Sequence, residues 1–175
     1  MMKELKGTLW KAADKLRGSM DASQYKDVVL GLVFLKYVSE AFEIRRTTIA
    51  RELRAEGYRD DQIEKLCDDR DEYTGHGAFW VPETARWSYL AAHSKGLIAT
   101  AHEHDKSIGQ LVDEAMDLLV GSNPTLRNAL PHGFNRDSVD QRRLGELVDL
   151  LNNVRFFGEG AERARDLMGE VYEYF

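Results

Sequence analysis

Cysteine is almost missing from this chain. Cys67 stands alone, so no internal disulfide forms and a thiolate metal cluster is excluded. No run approaches the roughly 18 consecutive apolar residues of a membrane span. The opening MMKELKGTLW lacks the apolar core and small-residue cleavage site of a secretion signal. A cytoplasmic protein is expected. Positive charge is not in excess either: 24 Lys and Arg stand against 30 Asp and Glu, a net charge of -6. Autonomous DNA binding is disfavoured by that balance, because phosphate contacts need clustered cations, although a local basic face on an acidic protein is still allowed. Alternating strand patterns are nearly absent, which argues against a parallel α/β enzyme domain.

What is present is helical periodicity. Hydrophobic residues make up 43% of 175 residues, enough for the core of one domain. Leu5, Leu9, Ala12, Ala13 and Leu16 mark one face of a first helix, with Trp10 nearby, ending at Gly18. Asp21 and Gln24 have capping-box spacing. The spacing then predicts a helix from about Ala22 to Arg54, stopped near Gly57. Its first half, VVLGLVFLKYVSEAF, is apolar nearly all round and belongs at the centre of a bundle.

Asp60 and Asp61 open a short helix carrying Ile63, Leu66 and Cys67. Gly75 and Gly77 flank a turn, and Phe79 to Pro82 read as an extended segment or short strand. Ser107 with Gln110 caps a helix ending at Gly121. Asn123-Pro124 reads as a helix cap followed by proline at the first position, in a piece that Pro131 terminates. Leu144, Leu147, Val148, Leu151 and Val154 mark a further helix, and a last one runs from about Ala161 to the end. The expected fold is an all-α helical bundle built around a long central apolar helix, with at most one short β-hairpin.

Two basic groups are candidates for contacts. Lys11, Lys15 and Arg17 lie close together along the first helix and its end, either as a phosphate-contacting stripe or as a solvated face. Arg142 and Arg143 begin a helix, where the dipole disfavours cations; either Asp140 or a partner offsets that cost. Arg45, Arg46, Arg51 and Arg54, interleaved with Glu43, Glu52 and Glu56, read as salt-bridged surface. Trp10, Trp80 and Trp87 read as packing residues. His102-Glu103-His104-Asp105 has metal-ligand residue types, but a structural zinc site normally gathers four ligands from separate elements. Cys67 beside Asp68 and Asp69 is no activated nucleophile, since neighbouring carboxylates raise a thiol pKa. No metal is expected here.

Longer strings resemble one family. LWKAADKLRGSMDASQYKDVVLGLVFLKYVSEAFE is similar to the opening of modification (methyltransferase) subunits of type I restriction-modification systems. Arg17, Gly18, Met20, Asp21, Tyr25, Gly31, Phe34, Leu35, Lys36, Tyr37 and Ser39 stand at matching positions. Phe79 to Pro82 with Ala85 to Trp87 resemble the family's FWVP-x-x-ARW segment, and RRLGELVDLLNNV and DLMGEVYEYF its later helices. The resemblance covers essentially residues 1–175, as one N-terminal helical domain. It implies a catalytic domain, expected downstream and absent here, that binds S-adenosylmethionine and carries an NPPF-type tetrapeptide for a target adenine. Asn123-Pro124-Thr125 lacks the second proline and the aromatic residue.

No catalytic, cofactor-binding or metal residue is therefore expected in this chain. The resemblance further implies a specificity subunit, a second modification subunit and a restriction subunit as partners, with DNA inside the assembly. Tyr172, Tyr174 and Phe175 would then pack at the junction with the next domain. Two other readings are a free-standing helical interaction module without enzyme activity and a helix-turn-helix regulator; no recognition helix with a basic face is found for the latter.

Overall fold

The computed structural model describes residues 7, 10, 11, 14, 16, 18, 20–97 and 104–157. Its organising element is α1, Ala22–Ala55, 34 residues or about 50 Å of helix. Asp21 precedes it with extended backbone, and its carbonyl accepts the Gln24 and Tyr25 N–H groups. The Asp21 side chain makes no cap bond, so the helix starts where the sequence places it but without the expected capping box. At the other end the Tyr58 N–H donates to Leu53 and the Gly57 N–H to Arg54. That pairing needs a left-handed residue, and Gly57 supplies it at φ 94°.

Residues 28–33 of α1 are all buried, as an all-round apolar sequence requires. Around them pack α2 (Asp60–Leu66), α3 (Asp71–Thr74), a 3₁₀ turn (Glu83–Ala85), α4 (Trp87–Ala92), α5 (Ile108–Ser122), a second 3₁₀ turn (Pro124–Leu126) and α6 (Gln141–Asn152). The short α3 and α4 carry too few turns to show a period. Ser107 caps α5 as expected, its hydroxyl accepting the Gln110 N–H at 3.1 Å. Asp140 caps α6 by accepting the Arg143 N–H at 3.1 Å.

Among the described residues there is no strand. The hairpin expectation reduces to one isolated antiparallel bridge between Leu97 and Lys106, and residues 78–82 form neither helix nor strand. One hydrophobic core runs through the bundle, centred on Leu32, Leu35, Phe42, Leu90, Met116, Leu119 and Leu144. Trp80 and Trp87 belong to it, whereas Trp10 is 45% exposed and does not. Layers approach closely where α6 presents Gly145: a Cβ there would lie 2.1 Å from the Ser94 carbonyl oxygen.

Candidate functional site

The end of the bundle at the start of α1 gathers residues far apart in sequence. Lys11 is helical and exposed. Arg143 reaches back from α6 so that its Nη1 would be 3.4 Å from a Cβ at Gly18. Its Nε lies 3.9 Å from Asp140 Oδ2. The acidic neighbour therefore caps the helix and faces the cation, which answers why arginines tolerate that helix start. Arg142 is 88% exposed and pairs with Glu146 one turn along, at 3.3 Å. A hollow at the start of α1 is lined by Met20, Gln24, Asp27, Phe134 and Arg136. The loop forming its far wall hangs on Asp113, whose carboxylate accepts the N–H groups of Gly133, Phe134 and Asn135. Lys15, Arg17, Tyr172, Tyr174 and Phe175 lie outside the described residues.

Three arginines of the second half of α1 form ion pairs, but not with the interleaved glutamates. Arg45 meets Glu72 at 3.1 Å, Arg46 meets Asp68 at 3.1 Å and Arg54 meets Asp60 at 3.3 Å. Arg46 also donates to the Cys67 carbonyl and the Tyr73 hydroxyl. The run is thus a fastening for α2 and α3. Burial pushes the Cys67 thiol up from its ordinary range, with Asp68 adding to the rise and Arg46 opposing it. The direction agrees with the sequence, but burial is the principal cause and Asp68 a lesser one.

The middle of α1 holds a polar cluster that sequence reading does not assign. The Ser39 hydroxyl accepts the Trp87 N–H at 2.7 Å, at the start of α4. The Trp87 indole N–H donates to Asn152 at 3.1 Å, at the end of α6. Glu40 accepts the N–H groups of Phe156 and Phe157, each at 3.1 Å. Lys36, 3.8 Å from Glu40 Oε2 and 5.7 Å from the Trp87 ring centre, is held below the ordinary lysine range chiefly by burial, with Arg155 adding to the fall and Glu40 opposing it. Lys36 and Ser39 stand in the FLKY-x-S string; nothing in the sequence singles out Glu40 or Asn152.

Asn123 is buried and does not cap its 3₁₀ turn by its side chain. Gly75 and Gly77 form a helix-end turn in which the Ala78 N–H returns to the Tyr73 carbonyl, Gly77 taking φ 76°. It follows a helix, not the strand after which a cofactor-cradling Gly-rich loop opens a helix. Among the described residues, no three His, Cys, Asp or Glu side chains converge as a metal site; His102 and Glu103 fall outside them. No helix among them is long and apolar enough to cross a membrane.

This arrangement defines an all-α module whose polar residues fasten helices and loops to one another. The chain belongs to the HsdM N-terminal domain family, which it matches over residues 5–151. It is similar to the Type I restriction enzyme MjaIX methylase subunit of Methanocaldococcus jannaschii, 32% identical over 178 residues. That alignment takes in 98% of this chain and 30% of the relative, so the chain spans under a third of that protein's length.

Proposed function

We propose that this chain is the non-catalytic N-terminal domain of a site-specific adenine DNA methyltransferase of a type I restriction-modification system. It helps subunits assemble and helps hold DNA, while a downstream domain binds S-adenosylmethionine and carries out methyl transfer. The partners are a specificity subunit, a second modification subunit and, where present, a restriction subunit. The observation that carries the DNA-facing role is the approach of Arg143 to Gly18. It brings one cation of α6 to the glycine that follows Lys11, Lys15 and Arg17 in the sequence, with Arg136 near the start of α1. Arg136, Arg142 and Arg143 then offer phosphates a small basic patch. Aspartates 27 and 140 on the same end temper its field, which suits weak backbone contact and leaves sequence reading to another subunit.

The test is a salt-titrated anisotropy measurement with a short duplex. Binding should fall in the non-specific range of about 10⁻⁴–10⁻⁶ M and weaken steeply with salt. Replacing Arg142 and Arg143 by Ala should reduce the slope of log K against log salt by about 1–2, equally for unrelated sequences. Lys15→Ala with Arg17→Ala should act similarly. Tight sequence-specific binding by this chain, or an unchanged slope in the combined variant, would overturn the assignment.

A further inference from the structure

Glu40, on the buried middle of α1, reaches a segment 116 residues further along. Its carboxylate receives the Phe156 N–H on both oxygens and the Phe157 N–H on Oε1, all at 3.1 Å. One turn earlier, Tyr37 meets the Phe156 ring edge-on at 6.0 Å between centroids and the Phe157 ring at 5.2 Å. These residues come after α6, which ends at Asn152, and just past the matched span of 5–151.

A single contact would pin one point of the chain and leave it free to pivot. Two successive amides on one carboxylate, with both flanking rings on one tyrosine, fix direction as well as place. Bonds from N–H groups to a charged acceptor are the stronger kind. The Glu40 side chain is only 15% exposed. Desolvating a carboxylate to hold amides that water would otherwise satisfy has a cost, and that cost goes into orienting the backbone.

We infer that Glu40 and Tyr37 form a strap that fixes the direction of the chain at Phe156 and Phe157. Glu40 is then a positioning residue for the segment that follows Phe157 and, through it, for the domain expected downstream of this one. That last meaning rests on reading the chain as the first part of a longer modification subunit; the strap's geometry does not.

The test places bioorthogonal spin labels at Glu64, exposed on α2, and at Glu159, two residues past the strap, in the 175-residue chain. Pulsed EPR distance distributions are compared for the parent, Glu40→Gln, Glu40→Ala and Leu147→Ala, the last a core truncation away from the strap. Glu40→Ala should widen the distribution about twofold and speed amide exchange at Phe156 and Phe157 on the order of tenfold. Glu40→Gln, which keeps one acceptor oxygen, should fall between. Leu147→Ala should keep the parent's width despite its lost stability. If Glu40→Ala fails to fold, Glu40→Gln and Tyr37→Leu are judged by the same criterion. Three results would each sink the strap: a parent distribution already as wide as the variants', an unchanged width with faster exchange, or equal widening in Leu147→Ala. None of these measurements involves DNA, so failure of the DNA-binding reading would show separately.

Discussion

Asn123 and Trp80, 43 residues apart, hold each other in both directions: the Asn123 side-chain oxygen accepts the Trp80 N–H at 3.2 Å, and its amide donates to the Trp80 carbonyl at 2.8 Å. The same amide donates to the Leu119 carbonyl at 3.0 Å. The segment 78–82 has no ladder partner for its backbone, and Asn123 stands in for the neighbouring strand. Asn123→Ala leaves those groups buried and unpaired, and should cost about 2–3 kcal/mol, read as a lower urea midpoint. Asn123→Asp should be at least as damaging at neutral pH, because a carboxylate cannot donate. A loss no larger than that of a surface substitution would refute the pairing.

Gly145 offers a second test. An alanine there must displace the Ser94 backbone, and the expected loss is about 1–3 kcal/mol or more. Gly121 is the control: a Cβ meets nothing within 4 Å, and it lies inside α5. Gly121→Ala should therefore be neutral or stabilising by up to about 1 kcal/mol. Equal responses from the two variants in denaturant unfolding would show that α6 does not approach Ser94 so closely.

Lys36 predicts a pH dependence with a definite sign. Its folded pKa lies below its unfolded one, so between them the unfolded chain binds more protons and stability rises with pH. The cost of burying the cation is fully present below the folded pKa and disappears as pH passes the ordinary value of 10.5. Lys36→Met should accordingly be more stable than the parent at neutral pH, with the gap narrowing as the solution is made alkaline. Melting temperatures of both proteins across that range give the answer, and a gap that widens with pH would contradict burial as the leading cause.

The features legible in the sequence are those written in one stretch of chain. The all-round apolar run of residues 28–42 announces a central helix, and Ser107 with Gln110 announces a helix start. Asn123 misleads because Asn before Pro is a strong local cap signal, while the buried Trp80 backbone that captures its side chain is a distant partner. The α1 arginines mislead about their partners for the same reason: the interleaved glutamates are visible in the sequence, but Asp60, Asp68 and Glu72 come close only once α2 and α3 fold back. Glu40 is silent because a glutamate on a long helix usually faces water, and its amide partners lie over a hundred residues away. The approach of Arg143 to Gly18, 125 residues away, is likewise unreadable from a local stretch.

The central helix is gripped by different forces along its length. Near residues 28–35 the hold is apolar and indifferent to electrolyte. From Arg45 to Arg54 burial of Ile49 is supplemented by guanidinium–carboxylate pairs whose acids are half or more open to water, and such pairs fade as ions accumulate. Raising ionic strength should therefore loosen α2 and α3 from the far tip while the middle stays intact, so that this rod frays from one end under brine.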